Sequence, residues 1–194
     1  VQKVMKNIVI FGAPGSGKGT QSDKIIAEFG VEHISTGDVL RGEIKAGTEL
    51  GKTASAYINE GKLVPDALIV DMLAATLDAK GSDINGVIFD GFPRTIAQAE
   101  ALDAMLKDRG QQVNIVVGLE VNDEELIKRI IARGKTSGRA DDNEETAKKR
   151  LATYYSQTLP LKDFYVNQGK YAKIHGVGSI DDIYAEISKA IANA

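Results

Sequence analysis

The stretch Gly12-Ala13-Pro14-Gly15-Ser16-Gly17-Lys18-Gly19-Thr20 directly follows the apolar run Ile8-Val9-Ile10-Phe11. This order predicts a buried strand that runs into a glycine-rich loop and then into a helix. Such a loop turns its backbone N–H groups inward, and the helix adds the positive end of its dipole. The stretch therefore predicts a site for the phosphates of a nucleoside triphosphate, with a glycine-rich surface turn as the alternative.

The spacing of the loop departs from the general phosphate-loop pattern at one position. Gly12, Gly17 and Lys18 fit G-x-x-x-x-G-K, and Lys18 can then reach the terminal phosphates. The next position is usually Ser or Thr, whereas this chain has Gly19 there and Thr20 one place later.

Composition narrows the class of protein. The chain has 194 residues, 43% of them hydrophobic and 26% charged, with a net charge of −3, which is ordinary for one globular domain. We expect no nucleic-acid binding, because there is no basic excess, and no membrane association, because no apolar run approaches about 20 residues. Cysteine is absent, which excludes disulfides and thiolate metal sites and is compatible with a cytoplasmic protein.

The pattern of apolar runs and turn signals predicts an α/β fold. Strands are expected over 7–11, 32–34, 86–90, 113–119 and 171–175, with helices between them, which indicates a five-stranded parallel sheet covered on both faces. Pro65 is placed in the first turn of a helix, residues 134–142 in a loop, and a helix from about residue 144 is bent or ended by Pro160. The last helix starts at Ser179, with one face formed by Ile180, Ile183, Ile187 and Ile191.

Ligands of such sheets sit at the carboxyl ends of the strands. Residues 12–18, Thr36, residues 90–94, the segment after Leu119 and residues 176–178 all lie at or beyond those ends, so we expect them to converge.

Taken together, the motifs resemble those of adenylate kinases over essentially the whole chain. The resemblance rests on residues 12–21, on Ser35-Thr36-Gly37-Asp38-Val39-Leu40-Arg41, on Asp90-Gly91-Phe92-Pro93-Arg94-Thr95 with Gln98, on Arg129 and Arg133, and on residues 137–142 with Arg150. It implies a P-loop three-layer fold and the reaction MgATP + AMP ⇌ 2 ADP. The Gly19-Thr20 order is itself this family's form of the loop.

The resemblance also implies a division of the chain. The core covers about 1–35, 65–133 and 143–194, a helical AMP-binding segment covers about 36–64, and a short lid covers about 134–142. Long lids of this family sometimes hold zinc, whereas this short lid without cysteine implies no zinc. We expect a cytoplasmic monomer that binds ATP, AMP and ADP.

For the donor nucleotide, the resemblance implies a site made of Gly15, Ser16, Gly17, Lys18, Gly19, Thr20, Arg129, Arg133 and Gly178. The loop N–H groups and Lys18 would hold the β- and γ-phosphates, and Gly178 would offer its backbone to the adenine. Mg²⁺ would lie near the Thr20 hydroxyl and be held by Asp90 through water. For Asp90, the alternative is a turn residue at the end of a strand.

For AMP, the resemblance implies Thr36, Arg41, Leu63, Val64, Gly91, Arg94, Gln98, Arg139 and Arg150. Arg41 and Arg94 would clamp the phosphate, Thr36 and Gln98 would contact adenine, and Leu63 and Val64 would add backbone and apolar contacts. The catalytic residues implied are Lys18, Arg94, Arg129, Arg139 and Arg150. Asp141 and Asp142 either orient Arg139 or form a solvated turn.

Several positions have simpler interpretations. Arg129 and Arg133 share a helix face, where Glu125 could neutralise Arg129 without any ligand. His33 and His175 lack an obvious partner and are interpreted as structural, and Tyr154 and Tyr155 as helix packing.

Two other functions remain open from sequence. A UMP/CMP-type kinase is the nearest alternative, although Thr36 and Gln98 favour adenine by family resemblance. A P-loop switch for GTP is a different class, but the chain contains no Asn-Lys pair for guanine recognition.

Overall fold

The computed structural model describes residues 5–60, 62, 64–81, 83–137 and 144–194. The strands are β1 (Lys6–Gly12), β2 (Glu32–Ser35), β3 (Gly86–Asp90), β4 (Ile115–Glu120) and β5 (Tyr171–His175). The helices are α1 (Lys18–Phe29), α2 (Thr36–Ala46), α3 (Glu49–Asn59), α4 (Asp66–Lys80), α5 (Ile96–Lys107), α6 (Asp123–Ser137), α7 (Glu144–Asn167) and α8 (Ile180–Ala192). The prediction of an α/β protein with five parallel strands is confirmed.

The sheet has the order β2-β3-β1-β4-β5, and every pair of neighbours is parallel. Because all strands point the same way, their carboxyl ends lie at one edge. Ile10 and Ser35 are both in register with Asp90, and Gly12 is in register with Leu119. The segments that follow β1, β2 and β3 therefore start beside one another.

Alternation along β1 divides the core between the two faces of the sheet. Val9 and Phe11 pack with residues of α4, α5 and α7, whereas Ile8 and Ile10 pack with residues of α1 and α8. Successive strand side chains point to opposite faces, so a strand buried on both sides reads as an unbroken apolar run. This is why the sequence before Gly12 is continuously hydrophobic.

Several helix ends have recognisable caps. The Ser35 side chain accepts a hydrogen bond from the Asp38 backbone N–H, and the Ser179 side chain accepts one from Asp182. Asn122 caps α6 through the N–H of Glu125, at 2.9 Å. Pro65 lies just before α4 as its N-cap, one place earlier than predicted.

Two predictions about element boundaries are wrong, and a third is wrong in one of its two alternatives. β4 begins at Ile115 rather than 113, because the Asn114 side chain accepts the backbone N–H of Asn7 at 2.8 Å, while the Asn114 N–H binds the Asn7 carbonyl. The loop predicted over 134–142 is helical as far as Ser137, since α6 continues through Gly134. The part beyond residue 137 lies outside the described residues.

The third boundary concerns Pro160, which does not end α7. Proline inside a helix costs about 3 kcal/mol. Leu151 lies before it and Leu161 and Tyr165 after it, all three at most 3% exposed, so packing on both sides outweighs that cost.

The face predicted for the last helix is only partly correct. Ile183, Ile187 and Ile191 are buried, but Ile180 is 52% exposed. Ile180 belongs to the first turn of α8, where Gln21 of α1 donates to its carbonyl at 3.2 Å. Within the described parts of the chain, no helix has the length and apolar character needed to cross a membrane.

Candidate active site

The loop between β1 and α1 depends on its glycines. Gly15 and Gly17 have φ of 85° and 88°, a left-handed conformation that L-residues with a side chain rarely adopt. A Cβ on Gly12 would lie 2.5 Å from the Ser16 hydroxyl, so that position has no room for a side chain. The loop therefore wraps closely over the end of β1.

Ser16 is a buried residue of this loop, and its hydroxyl has no hydrogen-bond partner among the described residues. Its N–H donates to the Ala13 carbonyl at 3.0 Å, and the residue is only 3% exposed. Among the described residues, none forms a hydrogen bond with the Ser16 hydroxyl. A buried hydroxyl of this kind is expected to have a partner, and a ligand oxygen would supply one.

Lys18 opens α1 and lies against the end of β3. Its Nζ is 2.6 Å from Oδ1 of Asp90, which puts the lysine of the loop and the strand-end carboxylate in one ion pair. The pairing follows from the register, because Asp90 lies beside Ile10 on the neighbouring strand.

His33 lies on the other side of Asp90 and so has a partner that was not obvious from the sequence. Its Nε2 lies 3.2 Å from Oδ2 of Asp90. Burial by itself raises the pKa of Asp90, but the hydrogen bonds and charges of Lys18 and then His33 outweigh burial and hold it below its usual range. The contact between His33 and Asp90 depends on the pairing of β2 with β3, which sequence reasoning did not establish. His175, in contrast, is exposed.

Arg129 connects three segments. It donates to Glu125 at 3.0 Å, to the Gly15 carbonyl at 3.3 Å and to the Gly176 carbonyl at 3.0 Å. The Glu125 pair anticipated from spacing is thus present, and the same guanidinium also joins the glycine loop to the loop after β5. A Cβ on Gly176 would lie 2.5 Å from the Val121 side chain and 3.6 Å from the Ser16 carbonyl, so the loop after β5 lies close to the segment after β4 and to the glycine loop.

A cavity of about 920 Å³ lies above the glycine loop. Its walls include residues 12–20, residues 91–94, Arg129, Arg133 and Arg150. The volume is in the range of about 300–1,000 Å³ typical of ligand sites. Among the expected donor-site residues, Gly178 does not line this cavity.

One side of this cavity is a stripe of α7 that sequence reasoning did not assign. Besides Arg150, the stripe consists of Lys149, Thr153, Tyr154, Gln157, Thr158 and Leu161. These positions recur every three or four residues, the spacing of one helix face. This period is the sequence signal from which the stripe could have been predicted. From the sequence, Tyr154 is interpreted as a helix-packing residue only. Burial raises the pKa of Tyr154 to about 12.

A second cavity, of about 230 Å³, lies beside the first. It brings together four residues expected at the acceptor site, namely Thr36, Gly91, Arg94 and Gln98. Val39, Leu40, Ile69, Met72 and Leu73 supply apolar walls. Gly91, Phe92 and Arg94 line both cavities, so the short loop after β3 is their common border.

The remaining expected acceptor residues are placed differently. Arg41 does not line the second cavity; its side chain is 72% exposed and paired with Asp38. The hydrogen bond from Arg41 has the largest effect in holding the pKa of the Asp38 carboxyl below its usual range. Val64 is half-buried outside both cavities. Leu63, Arg139, Asp141 and Asp142 lie outside the described residues.

Gln98 is held at the second cavity by groups from two helices. The Thr95 side chain caps α5 by accepting the Gln98 N–H, which places Gln98 in the first turn. The side-chain Oε1 accepts the Arg94 N–H at 2.8 Å, and Nε2 donates to Asp66 of α4 at 2.6 Å.

Thr20 is exposed at the start of α1 and lines the larger cavity. Its hydroxyl and the ionised Asp90 carboxylate are oxygen donors, the type that Mg²⁺ prefers. Among the described residues, no group of three or more His, Cys, Asp or Glu is arranged to hold a metal ion.

Comparison with known proteins points to one family. A family model described as adenylate kinase matches residues 10–170. A protein named adenylate kinase from Phocaeicola vulgatus is 65% identical over 187 residues, covering 96% of this chain and 98% of that protein. Proteins of the same name from Bacteroides thetaiotaomicron and Maricaulis maris are 63% and 50% identical, covering 96% and 95% of this chain and 98% of each relative.

Proposed function

The chain belongs to the adenylate kinase family of nucleoside monophosphate kinases, and we propose that it transfers the γ-phosphoryl group of MgATP reversibly to AMP, giving two ADP. The UMP/CMP-type alternative is not favoured, because the high-identity relatives named above are all adenylate kinases. A GTP-dependent switch is not favoured for the same reason.

The pair of adjoining cavities is the observation that supports this reaction most directly. One is bordered by the glycine loop and the arginines, and the other by Thr36 and Gln98, with Gly91, Phe92 and Arg94 common to both. Transfer between two nucleotides requires their terminal phosphates to meet, which such a shared border allows. A hydrolase or switch needs only the first cavity.

We propose that the donor binds along the larger cavity. Backbone N–H groups of Gly15 to Gly19 and Lys18 would hold the β- and γ-phosphates, with Arg129 and Arg133 on the donor side and Gly178 near the adenine. Thr20 and, through water, Asp90 would hold Mg²⁺, which neutralises charge on the phosphates as the transfer proceeds. The oxygen donors of these two residues fit that ion.

The acceptor would occupy the smaller cavity with its base and reach Arg94 with its phosphate. Gln98 and Thr36 would contact the base, Gly91 would border it, and Arg41, Leu63 and Val64 would complete the site from the segment of about 36–64. Arg41 would then exchange its Asp38 partner for the phosphate.

Phosphoryl transfer needs alignment and charge stabilisation more than covalent chemistry. Lys18, Arg94, Arg129 and Arg150 would gather positive charge around the transferring group, joined by Arg139 from a short lid of about 134–142. Closing that lid over the core of about 1–35, 65–133 and 143–194 would exclude water and so limit hydrolysis of ATP. We also propose a cytoplasmic monomer.

A panel assay tests the proposal. MgATP is offered with AMP, UMP, CMP or GMP in turn, and ADP formation is followed. We expect AMP to be the preferred acceptor and Mg²⁺ to be required. Equal use of UMP or CMP would contradict the assignment of the acceptor, and ADP formation without any monophosphate would indicate hydrolysis instead.

A further inference from the structure

The side-chain amide of Gln98 lies between two partners of opposite kind. Its Nε2 donates to Oδ1 of Asp66 at 2.6 Å, and its Oε1 accepts the backbone N–H of Arg94 at 2.8 Å. Gln98 is 7% exposed, whereas Asp66 is an exposed residue, so the amide is buried and its carboxylate partner faces water in part.

The chemistry of these partners permits only one orientation of the amide. An ionised carboxylate accepts hydrogen bonds and cannot donate, while a backbone N–H donates and cannot accept. Rotating the amide by half a turn would place Oε1 against the Asp66 carboxylate and the NH₂ group against the Arg94 N–H. Both contacts would become repulsive, and burial makes unpaired polar groups costly.

The fixed amide leaves one N–H and one oxygen lone pair beyond these two hydrogen bonds. Gln98 lines the smaller cavity, whose volume of about 230 Å³ lies below the range of about 300–1,000 Å³ for whole ligands and suits one base. Adenine offers an N6 donor beside a ring-nitrogen acceptor, which matches an oxygen and an N–H side by side. A 6-oxopurine instead presents an oxygen where adenine has its N6 donor.

We propose that Asp66 is a positioning residue for base specificity, which fixes the Gln98 amide so that the acceptor site takes 6-aminopurine nucleotides and rejects 6-oxopurine nucleotides. The inference rests on the proposed function, in which the smaller cavity receives the base of the acceptor. Asp66 acts through Gln98, by making the orientation that would suit a 6-oxopurine unfavourable.

Both residues have structural roles that the test must separate from this one. Thr95 and Gln98 have the spacing of a capping box, in which the Gln side chain returns to the N-cap N–H. Here Oε1 accepts instead from Arg94, and Nε2 reaches a different helix. Asp66 also begins α4, where a carboxylate favours the helix dipole. Neither role distinguishes one purine from another.

The test is the ratio of kcat/KM for AMP to kcat/KM for IMP, with MgATP as donor and the ADP and IDP products separated by chromatography. IMP has the outline of AMP but exchanges the N6 donor for an oxygen. In Asp66→Asn the new amide can accept or donate, so only the Arg94 N–H still opposes rotation of the Gln98 amide, and the second orientation becomes less unfavourable. We expect the ratio to fall about tenfold, the size of one lost base-reading contact, with the KM for ATP unchanged.

Asp71→Asn is the matched control, because it removes the same charge from an exposed position of the same helix. We expect its AMP-to-IMP ratio to equal that of the unmodified protein. Loss of helix stability alone would lower the use of AMP and of IMP together. It would therefore change the melting temperature of a variant without changing its AMP-to-IMP ratio, and melting temperatures are recorded for both variants.

A double-mutant cycle tests whether Asp66 acts through Gln98. In a Gln98→Ala background, Asp66→Asn should leave the ratio unchanged. An unchanged ratio in Asp66→Asn alone, or an equal fall in the presence and absence of Gln98, would overturn the inference. Failure of the proposed function would look different, because the unmodified protein would then not phosphorylate AMP at all.

Discussion

Lys18 and Asp90 form an ion pair of 2.6 Å between the first turn of α1 and the end of β3. The pair holds the lysine over the carboxyl edge of the sheet, where the glycine loop also lies. In the proposed reaction, the lysine would turn from this carboxylate to the phosphates of the donor, while Asp90 would remain beside it to hold Mg²⁺ through water.

Replacing Lys18 should abolish most of the catalysis without unfolding the protein. In Lys18→Ala we expect kcat to fall by about 10²–10³-fold, as when one preorganised donor to a transition state is removed. Steady-state kinetics measure the loss, and circular dichroism checks the fold. Lys24→Ala is the control, since Lys24 lies on the same helix and pairs with exposed Asp181; near-normal turnover in Lys18→Ala would contradict the assigned role.

Arg94 should matter more for the acceptor than for the donor. Its Nε donates to the Gly91 carbonyl at 2.9 Å, which orients the guanidinium at the border of the smaller cavity. In Arg94→Ala we expect the KM for AMP to rise at least about tenfold, from the loss of a charged hydrogen bond, with a far smaller change for ATP. Arg109→Ala, which breaks a pair with Asp78, serves as the comparison. Equal effects on both substrates would refute the division of the site.

Arg129→Lys should weaken donor binding although the charge is kept. A planar guanidinium reaches Glu125 and two backbone carbonyls at once, which a single ammonium cannot do. We expect the KM for ATP to rise about tenfold and the KM for AMP to stay unchanged. Glu125→Gln, which leaves both carbonyl contacts in place, should have a smaller effect, and the reverse order would show that the ion pair matters more than the bridge.

Asp90 should contribute to stability in neutral but not in strongly acidic solution. Its pKa is lowered in the folded protein from an ordinary value of 3.8, so the folded state binds fewer protons than the unfolded state as pH falls. The contribution is complete above 3.8 and is lost as pH falls through the folded pKa. Urea unfolding of the unmodified protein and of Asp90→Asn should therefore give stability curves that converge in acid; parallel curves would contradict this.

Much of the fold could be predicted because local signals and burial agreed. The apolar run before Gly12 and the strand ending at Asp90 are buried on both faces, and strands of this kind read plainly in the sequence. The errors arose where long-range contacts decide the outcome. The Asn114 side chain binds the backbone of Asn7, so β4 begins later than predicted. Packing around Leu161 stabilises α7 beyond Pro160.

The site was predictable to the extent that its residues lie in motifs. Thr36 follows β2, whereas Gly91, Arg94 and Gln98 follow β3, yet all four line one cavity. The Asp90–His33 contact depends on which strands are neighbours in the sheet. The residues next to Asp90 and His33 in the sequence do not show that β2 and β3 are paired. The cavity-lining stripe of α7 was readable as a helical period, but only the fold shows which side of that helix faces the loop.

The helix α7 has a further practical consequence. The same helix carries Arg150 on the cavity wall and Tyr165 in the hydrophobic interior, about 22 Å apart along its axis at 1.5 Å per residue, and Leu161 between them belongs to both. Occupancy of the cavity and resistance to heat are therefore coupled within one element. A dye-based melting scan across nucleotides would report affinity without any enzymatic turnover, since a ligand at about 100 times its dissociation constant adds about 2.7 kcal/mol to the folded state.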